Sequence, residues 1–220
     1  KKSREYRDMG KNNGNKKDRK NKEIRLKPKE KLIKYLIENK EPVSIKHLSG
    51  AVVIDYKNTY NYVGDLAASG AIVQGAIGNI TPVEINLSPN QEIYSVEQKR
   101  TDEFLLKNPK FKLIREDIKE LNYPFVIVLI FGSFAKGKNY SFSDVDLCII
   151  CDNREKIKKL IEMLNLLSLK LDINEFTTNE FASMIEKTNN NLGHEIVKNN
   201  IILYGIENYY NLISKWMKKE

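Results

Sequence analysis

Two cysteines in 220 residues are too few for a disulfide scaffold, and their scarcity argues for a reducing compartment. Histidine is equally rare: His47 and His194 stand far apart, neither near a second ligating residue, so surface or capping roles are expected for both. No apolar run approaches the roughly 20 residues needed to cross a bilayer, and no secretory signal pattern opens the chain. A cytoplasmic protein with no membrane partner is the expectation. Acidic residues run short in one place only. Residues 1–29 hold 13 Lys/Arg against 4 Asp/Glu, which leaves 24 basic and 25 acidic residues for the rest. The whole excess of the +8 net charge therefore belongs to this stretch, the remainder being −1. Almost without apolar side chains, residues 1–29 cannot bury enough surface to offset their ordering entropy and read as disordered. They serve either to draw the chain toward phosphate backbones or as a solvated extension.

What is present begins at Glu30. "KEKLIKYLIENK" sets Leu32, Ile33, Leu36 and Ile37 at helical spacing, ending before Pro42. Ser44 is placed to cap a second helix and Asp55 a third, which exits at Gly70. "AIVQ" and "PVEINL" then read as a hairpin. Three helices and a hairpin over residues 30–88 resemble a winged helix-turn-helix domain, and "TYNYVGDLAASGAI" is similar to that family's third helix and first wing strand. On that helix Lys57, Asn58 and Asn61 share the outward face, residue types suited to phosphate and base-edge contacts with double-stranded DNA. Asp65 on the same face would repel phosphate, so a surface for dimerisation or partner docking stays open. Tyr56, Tyr60 and Tyr62 are expected to pack in the core and along its flank.

Residues 89–110 read as a polar connection with a short helix over 96–106, and residues 111–220 as an α/β unit. In that unit "FKLIREDIKELN" is an amphipathic helix and "FVIVLIF" a strand covered on both faces. "DLCIIC" and "LKLDINEF" are further strands, separated by the helix "REKIKKLIEMLNLL", and Thr177 with Glu180 forms a capping box. A last helix is expected from about Glu207.

The chemistry concentrates between the first two of these strands. Gly132 and Ser133 follow a buried strand and open a short helix, a turn where a bare Cα and unpaired N–H groups suit phosphate oxygens. Asp144 and Asp146 lie two apart at the next strand, so both carboxylates are expected on one face, and such a pair suits hard divalent cations. Asp172, between Leu171 and Ile173 on the third strand, would complete a nucleotidyl-transfer site by taking the acceptor's proton or by helping to hold metal. Glu175 is the fallback.

"GSFAKGKNYSFSDVDL" resembles the signature of the DNA polymerase β nucleotidyltransferase superfamily. It is most similar to the minimal nucleotidyltransferase branch: Gly-Ser, ten residues (134 to 143), then Asp-x-Asp. Lys136 and Ser143 match positions of that signature at the nucleotide, and the resemblance covers about residues 111–205. It implies a mixed β-sheet with helices in an α/β (α+β) chain, ATP as the nucleoside triphosphate donor, and Mg²⁺, two ions, held by Asp144, Asp146 and Asp172. Members of that branch act as antitoxins that transfer AMP to a tyrosine of a partner HEPN-type toxin, so a protein acceptor is expected here. Phe134 departs from the branch, which often has a basic residue there. The rival is a DNA-binding regulator whose transferase fold senses nucleotide or is inactive. Cys148 and Cys151, a C-x-x-C without a second pair, fall on opposite faces of a buried strand and read as core.

Overall fold

A computed structural model describes residues 24–76, 81–137, 144–187 and 189–216; the side chain of Trp216 is outside this set. The first 23 residues of the basic segment lie outside it, as does the centre of the hairpin loop.

The N-terminal helices form where the capping residues put them. Helix α1 (Pro28–Asn39) starts on a proline, and Glu30 turns back to accept from the Lys27 N–H at 2.9 Å. Ser44 caps α2 (Ile45–Val52) by accepting from the His47 N–H, and Asp55 caps α3 (Tyr56–Ala68) by accepting from Asn58. Their inner residues, from Leu32 through Leu48 to Leu66, are buried together. Strands β2 (Ile72–Gln74) and β3 (Pro82–Ile85) pair antiparallel, and a strand the sequence did not announce, β1 (Val43–Ser44), pairs on the other side of β3. Two residues are too short to show a period of two.

Helix α4 runs the full length of Gln91–Lys107, starting earlier than the helix expected at 96–106 because Asn90 caps it, its side chain accepting from the N–H groups of Glu92 and Ile93. Ile93 and Val96 of this helix belong to a core that runs continuously from Leu32 of α1 into the C-terminal half. One stripe of α4 is polar and buried: Glu97, Arg100 and Thr101. Glu97 pairs with Arg100 and accepts from the Tyr210 hydroxyl at 2.8 Å, while Arg100 also reaches the Asn200 carbonyl and Thr101 donates to that of Ile202.

The second sheet has the order β6-β5-β4-β7, from β4 (Ile127–Ile130), β5 (Val145–Ile150), β6 (Leu171–Phe176) and β7 (Ile201–Tyr204). β4 runs antiparallel to β5 and β7, and β5 parallel to β6, so the sheet is mixed. Every residue of β4 is buried, as its unbroken apolar run requires. One face carries Val128, Ile130, Leu147 and Ile149 against α5 (Lys112–Glu120) and α7 (Arg154–Asn165). The other carries Leu129, Cys148 and Ile150 against α8 (Thr178–Glu186), α9 (Leu192–Lys198) and α10 (Ile206–Trp216). The capping box holds α8, with the Thr177 N–H on Glu180 at 2.7 Å. Among the described residues no helix is long and apolar enough to cross a membrane.

Lys40, the C-cap of α1, donates its amine to the Val197 carbonyl of α9 and so ties the N-terminal helices to the second sheet. Burial pulls this amine down from 10.5 to about 8, Glu97 pushing against that shift and Arg100 adding to it. The unfolded chain therefore binds more protons between those two values. Lys40 alone is expected to contribute a gain of roughly 2–3 kcal/mol as pH climbs from 8 toward 10.5, and Lys40→Met should remove that gain. The buried thiols and phenols run the opposite way, their raised pKa values costing stability over the same range. Urea unfolding of wild type and Lys40→Met across that range reads the difference between their slopes; parallel profiles contradict it.

Candidate active site

Strand β4 delivers the chain to a four-residue helix, α6 (Gly132–Ala135), at the end of the sheet where β5 and β6 begin. Phe134 fixes it: the ring is buried, edge-on to Phe111 at 5.3 Å, with the Lys110 amine 5.0 Å from its centroid. The position that departs from the resembled signature is thus an anchor in the core.

Gly132 stands at φ 65°, and a Cβ there would lie 2.0 Å from Oδ2 of Asp146. The expectation from sequence was a bare Cα left open to phosphate. In the structure that space holds the Asp146 carboxylate, which also accepts from the Ser133 backbone N–H. Asp146 is half-buried on β5 and directly opposite Asp172 in the parallel register. Desolvation raises its pKa first, then the charge of Asp172 and more weakly that of Glu195, with the Ser133 N–H opposing. Two carboxylates side by side, one of them held above its ordinary range, make a centre of negative charge at the sheet end.

Asp144 is placed differently from the expectation. β5 begins at Val145, so Asp144 precedes the strand, exposed, and its Oδ1 lies 2.6 Å from the Lys170 amine just before β6. Glu175, the fallback, faces the opposite way from Asp172 and lines a cavity of about 530 Å³ with Arg154 and Thr177, toward the other end of the strand. Lys136 follows α6 and pairs with Glu195 of α9 at 2.9 Å. Glu195 is a member of this corner that the sequence did not single out; a lone glutamate in an amphipathic helix gives no local signal. Ser143 lies outside the described residues. Among the described residues no group of three or more His, Cys, Asp or Glu side chains is arranged to hold a metal ion. Asp146 and Asp172 nevertheless supply two hard oxygen donors side by side, a set that fits a divalent cation such as Mg²⁺.

On α3, Lys57, Asn58 and Asn61 are exposed, and the Asn58 amide bonds to the Asp55 cap at 2.5 Å. Asp65 is neutralised by Lys29 at 2.8 Å. Tyr56 and Tyr60 do not pack in the core: they are 54% and 58% exposed, ring centres 6.4 Å apart, one turn from each other on the outer face. Thr59, Val63 and Leu66 fill the inner face instead, with Tyr62 on its flank. Cys148 and Cys151 are free and buried in separate cores, and burial raises both thiols above their ordinary value. His47 meets the Tyr35 hydroxyl at 2.8 Å and His194 the Ile185 carbonyl at 3.0 Å, so both rings have structural partners.

Residues 116–209 match the family described as Polymerase beta, Nucleotidyltransferase, which supports the nucleotidyltransferase superfamily for this part of the chain. The match takes in all four strands of the second sheet together with α6. No curated protein matches the chain. Among solved structures, one titled "Crystal structure of the toxin-antitoxin with AMP-PNP" is similar at 18% identity over 46% of this chain and 81% of that chain, with a TM-score of 0.29. A likeness that weak carries no argument about this molecule.

Proposed function

We propose that residues 111–220 transfer a nucleoside monophosphate, AMP from ATP, to an acceptor hydroxyl. The observation that carries this is the registered pair Asp146–Asp172 beside the Gly132–Ser133 turn, within the segment that matches the nucleotidyltransferase family. The acceptor oxygen attacks the α-phosphorus, the bond from that phosphorus to the bridging oxygen breaks, and pyrophosphate leaves with that electron pair. Asp172, the more exposed of the two carboxylates, takes the acceptor's proton. Asp146, held by Gly132 and the Ser133 N–H, fixes the negative corner. When bound by Asp146 and Asp172, Mg²⁺ would supply neutralisation of the triphosphate and of the departing pyrophosphate. Asp144 would join them by releasing Lys170, an exposed pair that costs little to open. Lys136 and Ser143 are the nucleotide contacts of the resembled signature; Lys136 reaches a phosphate by leaving Glu195.

In this reading the N-terminal unit is a winged helix, supported by the order α1-β1-α2-α3-β2-β3 and the three-stranded sheet β1-β3-β2. A HEPN-type toxin as acceptor rests on the sequence resemblance. A second reading, a DNA-binding regulator, is favoured by the exposed face of Lys57, Asn58 and Asn61.

The test is incubation with α-labelled or γ-labelled ATP, Mg²⁺ and the product of an adjacent open reading frame. Covalent label from the α position alone is expected, and none from Asp146→Ala. ATP binding without transfer, with a gel shift on the protein's own promoter, supports the regulator instead.

A further inference from the structure

Helix α6 has two sides. Gly132 faces Asp146 over β5, while Phe134 to Gly137 line a cleft of about 820 Å³ on the β7 side. The two open at one end of the sheet, because Ile130 at the end of β4 pairs with Leu147 on one flank and Ile201 on the other. The cleft's walls come from both halves of the chain. Lys34 stands on α1, Arg100 and Lys107 on α4, Lys136 after α6 and Lys198 on α9.

Against these five cations the lining holds two acids, Glu38 and Glu103, and buried Arg100 is already paired behind the lining with Glu97. Glu103 already serves both Lys34 at 2.6 Å and Lys107 at 2.7 Å. Lys136 and Lys198 find their carboxylates outside the lining, in Glu195 and Glu41, through pairs whose members are 38% to 71% exposed. Exposed pairs of this kind contribute little, so an anion entering the cleft exchanges for them at small cost. The floor is apolar, with Ile37, Phe104, Phe134 and Ile201, and Asn108 and Asn199 bring amides that both donate and accept.

Apolar floor, amide edge and cationic rim together match a base, its polar edge and its phosphate. We propose that this cleft binds a second nucleoside monophosphate unit, distinct from the donor triphosphate, supplied either free or as the end of an oligonucleotide. The two share one chemistry, and Lys136 links the cleft to the carboxylate corner. The inference does not depend on transfer taking place, and its test measures no transfer.

Calorimetric titration of the full chain with AMP, and separately with a short 5′-phosphorylated single-stranded oligonucleotide, is done at low salt without divalent metal. Lys107→Glu/Lys198→Glu, two exposed positions, is expected to weaken binding at least tenfold, and Lys107→Ala/Lys198→Ala by an intermediate factor. Asp146→Asn should bind within twofold of wild type. The ligand that suffers the tenfold loss identifies the source; an oligonucleotide held only by the basic N-terminal segment would lose little. The proposal is overturned if neither ligand binds, if binding of both survives charge reversal in the cleft, or if binding disappears in Asp146→Asn.

Discussion

Gly132→Ala is expected to lower nucleotidyl transfer about a thousandfold, as far as loss of Asp146 itself, although alanine adds one methyl group. That methyl would lie 2.0 Å from Asp146 Oδ2 and 2.8 Å from its carboxyl carbon, separations no Cβ tolerates. With φ at 65° the backbone cannot relieve the clash cheaply, since a left-handed alanine already costs about 1 kcal/mol. The carboxylate must swing out of register with Asp172. If the pair supplies about 4 kcal/mol of transition-state stabilisation, its dispersal accounts for the thousandfold loss. The measurement is single-turnover transfer from α-labelled ATP alongside a thermal melt. Asp146→Ala/Gly132→Ala discriminates between roles: if the glycine acts through Asp146, the double variant is no slower than Asp146→Ala alone. A further large loss in the double variant would return Gly132 to direct contact with phosphate.

This result bears on how a motif is read. The Gly-Ser and Asp-x-Asp letters located the corner, because strand-turn-helix context and an apolar run on each side are local signals. Their partnership was not legible. That Gly132 accommodates Asp146 follows from the pairing of β4 with β5, and that Asp146 stands opposite Asp172 from the parallel register of β5 and β6. Strand ends are equally hard to read: with β5 starting at Val145, Asp144 lies outside the strand, within reach of Lys170. Lys136 and Glu195 lie 59 residues apart, so nothing in the neighbourhood of either announces the pair. In the N-terminal half, Ser44 and Asp55 made the helix starts visible. The exposure of Tyr56 and Tyr60 was not visible, because an aromatic pair spaced four apart suits an inner or an outer face equally. β7, four apolar residues without alternation, gave no period to distinguish strand from helix.

Glu97→Leu is expected to cost about 3–5 kcal/mol of stability, a fall in Tm on the order of 10 °C for a chain this size. Glu97 is 1% exposed, and its two oxygens serve Arg100 and the Tyr210 hydroxyl. Burial pushes the Tyr210 phenol up, so it stays a neutral donor that needs an acceptor. Without Glu97, Arg100 keeps the distant edge of Glu38 at 3.4 Å and the Asn200 carbonyl at 3.2 Å, and Lys40 loses the one carboxylate that favours its charge. Two cations would then share an apolar core. Arg100→Leu is the milder change, because Lys40 remains to balance Glu97, so the two single variants should differ by at least 1 kcal/mol in this order. In Glu97→Leu/Arg100→Leu only the Lys40 amine is left without its carboxylate, and burial already lets that amine shed its proton near pH 8, so much of the loss should be recovered. Chemical denaturation of the three variants forms the cycle. Because the stripe joins α1, α4, β7 and α10, Glu97→Leu should also loosen the N-terminal helices from the second sheet, seen as faster amide exchange in α1 and β7 before global unfolding. Equal costs for the two single variants, or a double variant as unstable as their sum, would mean that the stripe is held by packing and not by its charges.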